Sequence, residues 1–157
     1  MADLRAACGD IGLANVTTYI QSGNIAFSSD LEEVDLVTLI EQAIVATFGF
    51  QVPVILRSHA ELQAVVDANP YPGLAASEPK FVSVQAFAEP LSAELAGRLN
   101  PDIGPPEHLT IIGRDLYLHL PNGTGRSKLV DHVVAKLGKL GTARNWNTVL
   151  TMLEMTS

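Results

Sequence analysis

Val16-Thr17-Thr18-Tyr19-Ile20-Gln21-Ser22-Gly23-Asn24-Ile25-Ala26-Phe27 is the stretch on which the fold turns. Val16 to Ile20 is β-branched and aromatic, Gln21 to Asn24 is turn chemistry, and Ile25 to Phe27 extends again, which predicts a β-hairpin. Upstream, Leu4, Ala7 and Cys8 share one face of a short helix over residues 3–9. Downstream, Leu36, Ile40, Ile44 and Phe48 form the apolar stripe of a longer helix that Gly49 ends. Val52 to Leu56 reads as a strand. Pro53 has no N–H to give a ladder, which assigns that strand to a sheet edge or a bulge.

Ser58 and Glu61 have the spacing of a capping box, opening a helix that buries Leu62, Val65 and Val66. Tyr71 to Pro79 is a Pro/Gly/Ala loop. Strands follow at Phe81–Phe87, Leu109–Ile112 and Leu116–Leu120, with helices at Leu91–Leu99 and Arg126–Leu137. A last helix from Trp146 to Leu153 is capped by Asn145. The order is α-β-β-α-β, a linking helix, then β-α-β-β-α and a final α. This predicts an α+β fold with two ferredoxin-like (split βαβ) halves and a C-terminal helix. The first half, 1–69, lacks its opening strand. A linker loop, 70–79, leads to the second half, 80–157, which lacks only its last strand. A missing first strand leaves a vacant central slot between the hairpin and Val52–Leu56, with unpaired backbone groups on both sides.

The chain has 157 residues, 47% hydrophobic and 17% charged, with net charge −7. Such a composition excludes intrinsic disorder and argues against salt-driven nucleic-acid binding by the whole surface. The lone Cys8 excludes an internal disulfide and a multi-cysteine zinc site, and belongs on a buried helix face. Residues 1–5 have no signal-peptide pattern and no apolar run approaches a membrane span, so the expected location is cytoplasmic. The four histidines have no metal-ligand spacing and no cofactor motif occurs, so neither a metal nor a cofactor is expected. His119, between Leu118 and Leu120 on a strand, is placed on an exposed face. No base–nucleophile pair can be named, which leaves enzymatic activity undecided.

Three polar segments carry the remaining information: Thr18 to Asn24, Pro121 to Lys128, and Ala143 to Thr148. In the second, Gly123, Thr124, Gly125, Arg126, Ser127 and Lys128 stand directly before a helix. Flexible glycines, a helix N-terminus and two cations suit a phosphate- or nucleotide-like anion. The spacing is not that of a Walker A loop. Residues 104–157 hold 6 basic and 4 acidic residues, whereas residues 1–103 hold 4 basic and 13 acidic, so the loop lies in the more positive part. A plain turn, with Ser127 or Thr124 capping the helix, accounts for the same residues. Arg144 and Asn147 are further candidates for the anion site. Gln21, Ser22 and Asn24 could form a polar rim. Trp146, in helical register with Val149, Leu150 and Leu153, is assigned to the core.

Taken together with Met1 to Leu4 and Val52-Pro53-Val54, these segments resemble the signature of the family called domain of unknown function 1697, over nearly the whole chain. Members of that family usually open with another apolar strand ending in an Arg-Gly-Ile-Asn-Val-Gly-Gly-like loop, a segment not found in this sequence. The resemblance implies no activity, substrate or catalytic residue. The first functional expectation is a binding module for a small anionic ligand. The second is a protein–protein interaction module that uses an exposed strand edge, including self-association. The third is an RNA-binding ferredoxin-like domain, disfavoured by the charge.

Overall fold

The computed structural model describes residues 1–157. Helix α1 (Ala2–Asp10) leads into a hairpin of β1 (Ala14–Tyr19) and β2 (Asn24–Ser28), followed by α2 (Glu33–Phe48). The two helices and one face of the hairpin enclose a core of Cys8, Leu13, Leu36, Ile40 and Ile44. Gly49 ends α2 in the left-handed conformation, with its N–H on the Val45 carbonyl.

Val52–Leu56 does not form the expected strand. The run has no regular secondary structure, and its Val54 and Leu56 side chains pack on the same core as Ile25 and Phe27 of β2. Yet residues 50–57 make no backbone–backbone hydrogen bond. Only Val54 N–H is held, by the Glu41 carboxylate at 2.9 Å. β-Propensity alone does not make a strand; a neighbouring ladder must be in reach. The hairpin is a closed two-stranded sheet, so the outer edge of β2 is likewise without a partner strand.

Helix α3 (His59–Asp67) starts at the expected capping box, with Ser58 Oγ accepting from Glu61 N–H and the Glu61 carboxylate accepting from Ser58 N–H. The segment expected to be a linker loop is folded. Pro72–Ser77 forms the short α4, buries Ala75 and seats Tyr71 and Leu74 on the second half, where Tyr71 Oη meets Thr110 Oγ1 at 2.8 Å.

The second sheet contains β3 (Val82–Ala86), β4 (His108–Ile112), β5 (Asp115–His119) and β6 (Thr142–Asn145), all antiparallel in the order β4-β5-β3-β6. Helix α5 (Ala93–Gly97) joins β3 to β4, and α6 (Lys128–Leu137) joins β5 to β6. The second half therefore does not lack its last strand. Thr142-Ala143-Arg144-Asn145 is too polar to announce a strand, but the free edge of β3 recruits it, Ser83 to Ala86 pairing with Asn145 to Thr142. Asn145 then caps α7 (Trp146–Met155) through Thr148 N–H, as expected.

One face of this sheet packs Val82, Val84 and Tyr117 against Val65, Ala75, Trp146 and Val149. The other packs Leu116, Leu118 and Leu120 against Leu129, Val133 and Leu137. With helices on both faces, β5 is buried at every position. That overturns the exposed placement of His119, which is 6% accessible. No helix is long and apolar enough to cross a membrane.

Candidate functional site

After β5 the chain turns at Asn122-Gly123, with Gly123 N–H on the Leu120 carbonyl, makes one 3-10 turn over Thr124–Arg126, and enters α6. After Lys128, whose N–H has no partner in the chain, the first amides of α6 are bonded. Leu129 N–H donates to Glu107 Oε2 at 3.0 Å, Val130 N–H to Ser127 Oγ at 2.9 Å and Asp131 N–H to the Ser127 carbonyl. The buried Glu107 carboxylate thus occupies the position an external anion would take at this helix end. Ser127 is a structural cap. Asn122, Arg126 and Lys128 face Ile103–Glu107 across a polar cleft of about 220 Å³. Neither Arg126 nor Lys128 belongs to an ion pair. Gly123, Thr124 and Gly125 shape the approach to α6 without lining that cleft. Glu107 had no signal in the sequence: it lies 22 residues before the amide it caps.

Arg144 and Asn147 do not join this cleft. Arg144 reaches from β6 to the hairpin turn. Its Nε donates to Asn24 Oδ1 at 2.6 Å, and its Nη2 to the Ser22 carbonyl at 2.7 Å. Asn24, buried, in turn donates to the Tyr19 carbonyl and Ser22 Oγ. No carboxylate pairs with Arg144, and burial pulls its pKa down from the ordinary value. The first and third polar segments are thereby one structural tie between hairpin and sheet. Gln21 is exposed on the turn and Asn147 on the first turn of α7.

Two more arginines close the same seam. Arg57 donates to the Leu56, Phe87 and Arg114 carbonyls and pairs with Asp115 at 3.0 Å. Arg114, on the β4–β5 turn, pairs with Glu33 of α2 and Glu61 of α3. Sequence reasoning singled out neither, because isolated arginines next to strands have no local pattern.

No group of three or more His, Cys, Asp or Glu is placed to hold a metal ion. Burial pushes the Cys8 thiol up, away from the reactive thiolate. What is left open is backbone. The outer edge of β2 has no partner strand, and the Val52–Leu56 run over the same core makes no backbone–backbone hydrogen bond. Ile20, Phe48, Phe50 and Val52 are exposed nearby in sequence, the Phe48 and Phe50 rings 6.1 Å apart.

Comparison with curated proteins finds no match. Among solved structures the fold is similar to that of conserved bacterial protein SP0830 from Streptococcus pneumoniae, with a TM-score of 0.79 and 22% identity, covering 100% of this chain and 88% of that one. The model of the family described as protein of unknown function (DUF1697) matches residues 1–117, and the chain belongs to that family.

Proposed function

We propose that the chain is a polypeptide-binding module whose first half accepts an extended strand alongside β2. One observation carries this reading. The strand Asn24–Ser28 and the irregular run Val52–Leu56 rest on the same core; β2 pairs with β1 alone, and the run has no ladder partner. An incoming strand gains main-chain hydrogen bonds from such an edge, and its alternate side chains cover apolar surface. Self-association through the same edge is the homo-oligomeric form of this proposal. The second half is read as a complete ferredoxin-like unit that holds the acceptor rigid, and the location as cytoplasmic, where the lone thiol of Cys8 stays reduced.

The test is amide hydrogen exchange with and without an extended Lys-flanked peptide of alternating valine and threonine. The amides of β2 not bonded to β1, with those of Val52, Ile55 and Leu56, should exchange fast in the free chain and become protected in the complex. Saturable binding with protection elsewhere, or no binding, ends the proposal.

A second reading, an anion site, is supported by the unpaired Arg126 and Lys128 on one polar cleft with Asn122. In this form the site rests on side chains and not on the amides of Leu129 to Asp131, which Glu107 and Ser127 occupy.

A further inference from the structure

On the α6 side of the second sheet, β5 contributes Leu116 and Leu118, with Leu120 just beyond it, whereas β3 and β6 contribute Ser83, Gln85 and Ala143. Helix α6 rests on the leucines. Between α6 and the β3–β6 edge a mainly apolar cleft of about 230 Å³ stays open. Its far end is closed by the Gly138–Gly141 loop, which Gln85 Nε2 holds by donating to the Leu140 carbonyl at 2.7 Å. Only glycine fits at 141: a Cβ there would stand 2.6 Å from the Ala86 carbonyl oxygen and 2.8 Å from the Phe87 ring.

Two features single out this cleft. The first is Ser83. It is 7% accessible, lies on the cleft wall and has no side-chain hydrogen-bond partner. The residue is buried but its hydroxyl is not, since the only fully buried side-chain polar atoms without a partner are the His119 ring nitrogens; the Ser83 hydroxyl is open to the cleft and free to bond a ligand. The second is charge. The lining includes no Asp or Glu in a chain of net charge −7, and its single charged residue is Lys139, on the closing Gly138–Gly141 loop and outside any ion pair. The walls include Leu118, Leu120, Val130, Val133 and Val134, with the polar Thr124 beside them.

We infer that this cleft binds a small amphipathic monoanion, its hydrocarbon body between α6 and the sheet and its carboxylate at Lys139. At ~30 Å³ per heavy atom, the share of a water molecule, the space holds roughly eight atoms. That is the size of a medium-chain carboxylic acid or an arylcarboxylate. The Ser83 hydroxyl favours a body with one polar substituent. The inference is independent of the strand edge and of the Arg126–Lys128 cleft, with which it shares no lining residue.

Butanoate, hexanoate and octanoate are titrated into the labelled protein and followed by heteronuclear NMR. Saturable shifts should centre on Ser83, Val130 and Ala143, and affinity should rise by about fourfold per added methylene until the cleft is full. Ala143→Phe, which fills the cleft from an exposed position on β6, should abolish binding while leaving the melting temperature nearly unchanged. Lys139→Gln should weaken octanoate by about two- to fivefold, as for an exposed ion pair, and leave octanol unaffected. Octanoate shifts that persist in Ala143→Phe, octylamine binding as tightly as octanoate, or no saturable shift for any chain length would each overturn the inference.

Discussion

Arg144 and Asn24, 120 residues apart, meet through a 2.6 Å hydrogen bond from the guanidinium Nε to the side-chain carbonyl. Asn24 is buried and Arg144 half-buried, and the cation has no carboxylate. Its charge is therefore held by carbonyl and hydroxyl oxygens, those of Asn24, Ser22, Ala143 and Thr142. A hydrogen bond to a charged group contributes about 1.5–3 kcal/mol. Asn24→Ala removes one acceptor from a half-buried cation and should lower the unfolding free energy in urea by about 2–3 kcal/mol. Arg144→Lys should not rescue it, because an ammonium cannot reach Asn24 and Ser22 with a rigid fork. A lysine variant as stable as the parent would show that the tie is not geometric.

Arg57 and Asp115 should be more sensitive still. The pair is buried, with side-chain accessibilities of 7% and 12%. Arg57→Ala leaves Asp115 uncompensated and the Leu56 and Phe87 carbonyls without their donor, while the Arg114 carbonyl keeps Phe87 N–H. Breaking a buried pair by removing one partner costs about 3–5 kcal/mol. Equilibrium denaturation of Arg57→Ala should show a loss of that order; Arg57→Met with Asp115→Leu should recover most of it.

These two ties mark how far the sequence could be read. The Ser58–Glu61 capping box and the Asn145 cap were visible because each is a contact between residues three apart. The α2 stripe and the hairpin were visible because their periods are local. Val52–Leu56 and Thr142–Asn145 were misread in opposite directions. One has strand composition and no ladder; the other has polar composition and the free edge of β3 beside it. Glu107, Arg57 and Arg144 find their partners through tertiary placement, which no spacing rule reports.

His119 should make stability depend on pH. Its ring is buried near His108, 5.9 Å away and nearly parallel, and Tyr71, 6.3 Å away, with neither ring nitrogen hydrogen-bonded. Burial, then the neighbouring His108, lowers its pKa, with Glu78 opposing in part. The folded chain thus holds the neutral ring, whereas the unfolded chain takes up a proton below its ordinary value of about 6.5. The contribution is complete above pH ~6.5 and is lost as the pH falls through the lower folded value. Urea midpoints should fall between pH 7 and pH 5 in the parent. In His119→Leu, which replaces the unpaired ring by an apolar side chain, that fall should shrink and the pH 5 midpoint should rise. An unchanged slope would assign the acid sensitivity to other groups.

Glu107 decides between the two accounts of the α6 entrance. Its carboxylate is both the cap of Leu129 N–H and the acidic wall of the Arg126–Lys128 cleft. In Glu107→Gln the side-chain carbonyl can still accept that N–H, but the negative charge is gone. The lost interaction with the helix end is worth about 0.3–1 kcal/mol, up to ~2 when buried, so a modest drop in unfolding free energy is expected. The two cations then face the cleft without an opposing charge, and inorganic phosphate should bind more tightly than to the parent in calorimetric titration. Arg126→Ala with Lys128→Ala in the same background should abolish that gain while shifting stability by less than about 0.5 kcal/mol, the usual range for such surface changes. If Glu107→Gln shows no saturable phosphate signal, the glycine segment serves only to start α6, and binding is to be sought at the strand edge of β2.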